Sequence, residues 1–139
     1  MLRSRIGKIA AAGVVLAASL SLWPATAGAG PSGVKVTPGH ISCPAQPVSA
    51  GPVSCGSSIS ITNNGSSPVT IFYSFDGAGG SFLFGPAQCV DTTVSPGGSC
   101  VAQVSFDPGF AGRNKLTLGV RDLATGNLLG KVGITGTGT

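Results

Sequence analysis

Four cysteines are the residues whose chemistry this sequence constrains most. Cys43 and Cys55 enclose one short segment rich in Pro, Gly and Ser, and Cys89 and Cys100 enclose another. A four-thiolate zinc site would need C-x-x-C spacing, which the chain lacks. An even number of cysteines in an exported chain favours two disulfides. Of the three pairings that four cysteines allow, the simplest joins Cys43 to Cys55 and Cys89 to Cys100, and each closes a loop worth about 3 kcal/mol.

Acid–base chemistry has few groups available. His40 is the only imidazole, the chain has no glutamate, and its four aspartates are scattered: Asp76, Asp91, Asp107 and Asp122. Catalysis needs a base or nucleophile held beside a partner. His40 follows Gly39, and we expect it to be a solvated or capping residue in a loop. We therefore predict that the protein is not an enzyme, with no catalytic residue, no cofactor and no metal.

The glycines that follow Asp76, at positions 77, 79 and 80, invite two further interpretations. A calcium loop would need alternating Asp or Asn ligands, which this segment lacks. A phosphate loop would need a following helix and a lysine, which are also missing. We expect Asp76 to form a turn.

Aromatic side chains could form a sugar-binding platform. Phe72 falls on the strand face opposite Tyr73 and Phe75, while Phe82, Phe84 and Phe110 lie in or near predicted loops. Sugar platforms favour Trp and Tyr, whose rings carry a polar group. Core or rim packing is therefore the preferred interpretation, and a carbohydrate-binding platform is the alternative.

The N-terminus has the three-part pattern of a secretory signal peptide. A basic head with Arg3, Arg5 and Lys8 precedes an apolar run from Ile9 to Trp23. Small residues then allow cleavage after Ala27 or Ala29. The apolar run is shorter than the roughly 20 residues of a membrane-spanning helix. We predict a cleaved signal peptide over residues 1–29 and one mature domain over residues 30–139, with no membrane span after cleavage.

Removal of the leader changes the charge. The full chain has a net charge of +4, but the mature chain keeps five cations (Lys35, Arg113, Lys115, Arg121, Lys131) against four aspartates, which gives +1. Clustered Lys and Arg would be needed to bind a nucleic acid or an anionic membrane. The near balance of cations and aspartates in the mature chain therefore predicts no nucleic-acid partner.

Alternating apolar and polar residues predict about seven short strands with turns between them. The stretch from Val94 to Arg121 carries the clearest signal. Two strands with one apolar face each flank the Asp107-Pro108-Gly109 loop, and we expect them to be antiparallel neighbours. The predicted strands cover Val34–Thr37, Ser58–Thr62, Val69–Phe75, Cys100–Phe106, Lys115–Arg121 and Leu128–Thr135, with a short strand or hydrophobic loop at Ser81–Phe84. The pattern is typical of a single all-β, antiparallel sandwich.

The order of these signals resembles the bacterial choice-of-anchor D repeats, which belong with hydin-like and abnormal-spindle-like immunoglobulin-type domains. The resemblance rests on Asn63–Val69, the Ser95-Pro96-Gly97-Gly98-Ser99-Cys100 turn, Val104–Pro108 with Gly112, and Gly136-Thr137-Gly138. It covers the chain from about Val34 onward. It implies an immunoglobulin-like β-sandwich in which Cys89 pairs with Cys100. No anchor motif follows the single copy, so we expect a freely secreted or periplasm-like product.

These observations together predict a secreted, non-catalytic module. Its function is expected to be structural or protein-binding, through a sheet edge or end loops, with an unidentified protein or cell-envelope partner. A carbohydrate or cell-wall binding module is the alternative.

Overall fold

The chain folds into two stacked β-sheets. A computed structural model describes residues 33–85 and 89–139, and the predicted signal peptide lies outside them. Within these residues there are nine strands and one short 3₁₀ turn, Gly79–Ser81. The strands are β1 (Val34–Thr37), β2 (His40–Ser42), β3 (Val53–Asn63), β4 (Val69–Gly77), β5 (Phe82–Phe84), β6 (Thr93–Val94), β7 (Ser99–Phe106), β8 (Gly112–Asp122) and β9 (Leu128–Gly138).

The sheets have four and five strands. One has the order β1-β3-β7-β5 and the other the order β2-β9-β8-β4-β6. Neighbouring strands are antiparallel except for β2, which runs parallel to β9. The predicted all-β sandwich is confirmed, and its strand number exceeds the expected seven because β2 and β6 are very short additional strands.

The inner faces of both sheets form one apolar core, because alternate residues of each strand point toward it. From β7 these are Ala102, Val104 and Phe106, and from β8 they are Leu116, Leu118 and Val120; all six are fully buried. The Phe106 ring stacks on Phe82 with ring centroids 5.1 Å apart. The predicted inward faces of these two strands are therefore confirmed.

The prediction that β7 and β8 are antiparallel neighbours is wrong. β7 lies in the four-stranded sheet, and β8 lies in the five-stranded sheet. Their apolar faces oppose each other across the core, and the loop from Asp107 to Ala111 crosses the gap of about 10 Å between packed sheets. The alternation of apolar and polar residues correctly predicted which face of each strand is buried. It does not show whether two strands are neighbours in one sheet or face each other from different sheets.

Other local predictions also need correction. His40 does not lie in a loop, because it begins β2, and β3 extends back to Val53. The alternation of apolar residues along β4 and β9 predicts that Phe75 and Leu128 point inward, but they are 54% and 40% exposed. Phe75 lies near the end of β4, where β6 no longer pairs with that strand. Leu128 follows a shift of the β8–β9 register beyond Val120, so it lines the outer face of the sheet.

The turn after β3 depends on Asn63 and not on a positive φ in the Asn-Gly pair. The Asn63 Nδ2 group donates to the carbonyls of Ser67 (2.8 Å) and Val94 (2.9 Å), and its Oδ1 accepts from the Gly65 N–H (2.9 Å). The predicted Pro-Gly turn packs beside it: Gly97 has φ +77°, and its N–H donates to the Asn63 carbonyl at 2.7 Å. Asn63 therefore joins two turns at one end of the sandwich.

Candidate interaction edge

The four cysteines form two disulfides that connect the two sheets. Cys43 follows β2 and pairs with Cys55 on β3, with Cα atoms 4.4 Å apart. Cys89 precedes β6 and pairs with Cys100 on β7, with Cα atoms 5.6 Å apart. These are the pairs expected from the short loops. Since each pair links strands from different sheets, both disulfides restrain the stacking of the sandwich.

The structure places His40 and Asp122 on different strands, β2 and β8. His40 is exposed on β2, and its Nε2 lies 3.4 Å from the Thr135 hydroxyl. Asp122 is a turn residue whose Oδ1 accepts from the Ala124 N–H at 2.9 Å. Among residues 33–85 and 89–139, no group of three or more His, Cys, Asp or Glu side chains is placed to hold a metal ion.

The four phenylalanines of the proposed sugar platform are not brought together. Phe82 is 3% exposed and belongs to the core, and Phe110 is 50% exposed in the loop before β8. Phe72 lies on the outer face of β4, in register with Arg121. Phe84 is half-buried on β5. Phe84 instead contacts two aromatic residues that sequence reasoning had assigned to the core, Tyr73 and Phe75.

These three residues, Tyr73, Phe75 and Phe84, form an aromatic cluster that spans the two sheets. The Phe75 and Phe84 rings stack with centroids 5.6 Å apart. Tyr73 meets both rings edge-on, at 5.8 Å from Phe84 and 6.4 Å from Phe75. Tyr73 and Phe75 come from β4 and Phe84 comes from β5, so the cluster fills the gap between the sheets at one side of the sandwich.

Tyr73 and Phe84 are partly buried members of the cluster, and Phe75 is the exposed one. Burial raises the pKa of Tyr73 from 10.0 to about 12, because the charged phenolate loses hydration. Phe75 is 54% exposed, and Leu83, on the other face of β5, is 45% exposed. The cluster therefore presents an apolar surface to solvent at this side of the molecule.

Among residues 33–85 and 89–139, no strand pairs with the outer side of β4 beside Phe75. On β4, the Thr70 carbonyl accepts from the Leu123 N–H (2.8 Å), while the Ile71 N–H donates to the Thr92 carbonyl on the opposite side (3.0 Å). Backbone groups of successive residues alternate between the two sides of a strand. The N–H and C=O groups of Phe75 and Gly77 therefore point away from β8. Among the described strands, β6 pairs with this side of β4 only at Val69 and Thr70.

β5 is the outer strand of the other sheet, and in the described part of the chain no strand pairs with its outer side. The Gly85 N–H donates to the Gln103 carbonyl and the Asp107 N–H to the Ser81 carbonyl, both at 2.9 Å, so odd-numbered residues face β7. The backbone groups of Phe82 and Phe84 then face outward. We use the term open edge for Phe75–Gly77 together with Phe82–Phe84. It combines outward backbone groups with the aromatic cluster.

The outer edge of β9, on the opposite side of the five-stranded sheet, is covered by β2 and the segment after it. β2 pairs with β9, and the chain after it continues along β9. The Gln46 N–H donates to the Thr137 carbonyl (2.9 Å), and the Val48 N–H donates to the Thr139 carbonyl (3.1 Å). The Cys43–Cys55 disulfide then ties this segment to β3. The contrast between the two sides marks the open edge as the candidate site.

Comparison with known proteins gives the fold. No protein-family model matches the sequence, and no curated protein sequence matches it. Solved structures do match. The PapD-like domain 7 of human CEP192 superposes with a TM-score of 0.58 at 15% identity, over 78% of this chain and 86% of that one.

Two further structures share the architecture. The YadV chaperone superposes with a TM-score of 0.52 at 9% identity, over 76% of this chain and 52% of that one. The secreted serine protease VesC from Vibrio cholerae gives 0.51 at 13% identity, over 78% of this chain and 23% of that one. The fold is therefore an immunoglobulin-like β-sandwich, similar to these structures, and this is the fold that the sequence resemblance implied.

Proposed function

We propose that this protein is an exported, non-catalytic β-sandwich that binds an extended segment of a partner protein at the open edge. The observation that carries the proposal is Phe75, which is 54% exposed on a part of β4 that no described strand pairs with on its outer side. Long apolar strand edges are usually covered, since they invite pairing with other chains. An edge that keeps both backbone groups and an aromatic surface accessible is suited to a partner strand.

Binding would extend the sheet that contains β4 by one strand, which the partner supplies. A partner segment in extended conformation would pair with the N–H and C=O groups of Phe75 and Gly77. Its alternate side chains would then point toward the aromatic cluster. Backbone hydrogen bonds supply affinity in this mode of recognition, and side-chain pockets supply specificity. Phe75 would act as the main apolar anchor, because aromatic residues dominate the energetics of such interfaces.

Export and membership of the choice-of-anchor D group belong to the same proposal. Two disulfides favour an oxidising compartment. No helix of the described residues is long and apolar enough to cross a membrane. The immunoglobulin-like fold and the Cys89–Cys100 disulfide beside the Pro-Gly turn agree with the group that the sequence resembles. N-terminal sequencing of the secreted protein should find a start at residue 28 or 30, and retention of Met1 would contradict export with cleavage.

The binding experiment compares two equally exposed phenylalanines. A displayed library of random peptides is selected against the purified protein, and the selected peptides are measured against Phe75→Ala and Phe110→Ala. Phe110 is 50% exposed and lies outside the cluster. We expect Phe75→Ala to weaken binding about tenfold or more and Phe110→Ala to change it less than twofold. Selection of no peptide, or equal effects of the two substitutions, would refute the proposal.

A further inference from the structure

The charges of this protein are separated between its faces. Residues 113, 115 and 121 of β8 alternate with the buried residues 114, 116, 118 and 120, so they project from the outer face of the five-stranded sheet. Lys131 on β9 is in register with Gly119 and projects from the same face. Four of the five cations of the described residues thus share one face: Arg113, Lys115, Arg121 and Lys131.

Only one carboxylate accompanies them. Asp76 lies on the same face, in register with Thr117. The face therefore has four cations and one anion, a net charge of +3, while the rest of the described chain has Lys35 against three aspartates, or −2. No ion pair to these four cations forms among residues 33–85 and 89–139. The sequence suggested dispersed charge because the four cations spread from position 113 to 131.

Arg121 is held in place before any ligand arrives. Its Nε donates to the Ser74 hydroxyl (3.0 Å) and its Nη1 to the Gly126 carbonyl (2.9 Å). Gly119 makes room for this arrangement, because the Ser74 hydroxyl occupies the space that a side chain at 119 would take. A fixed guanidinium loses little conformational entropy on binding an anion.

A shallow depression of about 280 Å³ lies beside Arg121. Its lining includes Lys131, the hydroxyl groups of Ser74 and Thr117, and the carboxylate of Asp76. We use the term basic face for this depression together with Arg113 and Lys115. Six residues separate Lys115 from Arg121, about 20 Å along a strand. A single small anion cannot contact all the cations of the basic face.

We infer that the basic face binds a linear acidic polysaccharide through its carboxylate groups. Cations spaced along two strands match a repeating anion, and the hydroxyls between them can bond to sugar hydroxyls. The backbone of β8 is already paired on both sides, with β4 and β9, so a peptide could not add to this face as a strand. Single-stranded nucleic acid binds where several aromatic rings let successive bases stack, and the lining of the depression includes one aromatic residue, Phe75.

The test uses polygalacturonate as the acidic polysaccharide and dextran as a neutral one. The double variant Lys115→Gln/Lys131→Gln removes two exposed cations whose ammonium groups make no hydrogen bond or ion pair in the described residues. Lys35→Gln is the matched control, because Lys35 is exposed on β1 of the other sheet. Circular dichroism verifies that all variants are folded.

We expect polygalacturonate to bind and dextran not to bind. The double variant should weaken binding about tenfold, Lys35→Gln less than twofold, and added salt should weaken it further. No binding of polygalacturonate, or binding that the double variant leaves unchanged, would overturn the inference. Equal or tighter binding of poly-glutamate or duplex DNA would also overturn it, because charge alone would then explain recognition.

Discussion

Removal of the Asn114 amide should cost this protein much of its stability. Asn114 is fully buried on β8. Its Oδ1 accepts from the Ser81 hydroxyl at 2.7 Å, and its Nδ2 donates to the carbonyls of Gly112 (3.1 Å) and Phe110 (3.2 Å). These bonds tie the 3₁₀ turn between β4 and β5 to the start of β8. Asn114 therefore fixes the connection between the two strands of the open edge.

The expected magnitude follows from the number of bonds. Each buried hydrogen bond contributes about 1 kcal/mol net, and partners left without a bond in the interior add a desolvation penalty. Asn114→Ala removes three bonds, so we expect the free energy of unfolding to fall by about 3 kcal/mol. Ser81→Ala should cost about 1–2 kcal/mol, since its hydroxyl also accepts from the Gly109 N–H at 3.2 Å.

Urea denaturation measures these changes as shifts of the midpoint at constant m-value. Asn64→Ala is the matched control, because Asn64 is exposed in the turn after β3, at the other end of the sandwich; its effect should stay within about 0.5 kcal/mol. The double variant of Asn114 and Ser81 should cost less than the sum of the two single changes, with a coupling of about 1 kcal/mol. A loss below about 1 kcal/mol for Asn114→Ala, or strict additivity with Ser81→Ala, would refute this reasoning.

Three further predictions concern titration, cross-linking and packing. The single tyrosine should ionise near pH 12 in the folded state, because burial raises the pKa of Tyr73 from 10.0 to about 12. The contribution of Tyr73 to the free energy of unfolding should thus be constant below pH 10 and fall from pH 10 to 12; an ultraviolet titration with a midpoint near 10 would contradict this. Replacing Cys89 and Cys100 by serine should lower the free energy of unfolding by about 3 kcal/mol in urea, whereas an unchanged midpoint would show that the cross-link does not restrain the sandwich. Gly136→Ala would place a methyl group 2.7 Å from the Phe106 ring, so calorimetry should show a loss of about 1–3 kcal/mol; a neutral substitution would mean that the ring can move aside.

Strand alternation carried most of the fold prediction. It assigned Leu116 and Leu118 to a buried face, and it also contained a signal that was overlooked. Asn114 has the same parity as these leucines, and Asn63 has the same parity as Ile59 and Ile61. An asparagine on the buried side of a strand must have its amide hydrogen-bonded inside the protein, and both residues are bonded in this way.

The candidate site was less accessible to sequence reasoning. Phe75 has the parity of an inward residue, and its exposure depends on where the sheets end. The exposure of Phe75 is a property of the tertiary structure. The alternation pattern predicts toward which face of the strand a side chain points, but it does not predict which elements lie next to that strand. The same reason explains the error over β7 and β8. The grouping of cations was missed because Lys131 meets the β8 residues only through cross-strand pairing.

Hydrogen exchange of the protein bound to a selected peptide tests the central claim most directly. If a partner segment pairs with the open edge, the amides of Phe75 and Gly77 should become protected. The amides of Ser74 and Asp76 already face β8 in the free protein and should change little. Protection elsewhere, with Phe75 and Gly77 exchanging as fast as in the free protein, would contradict strand addition at this edge.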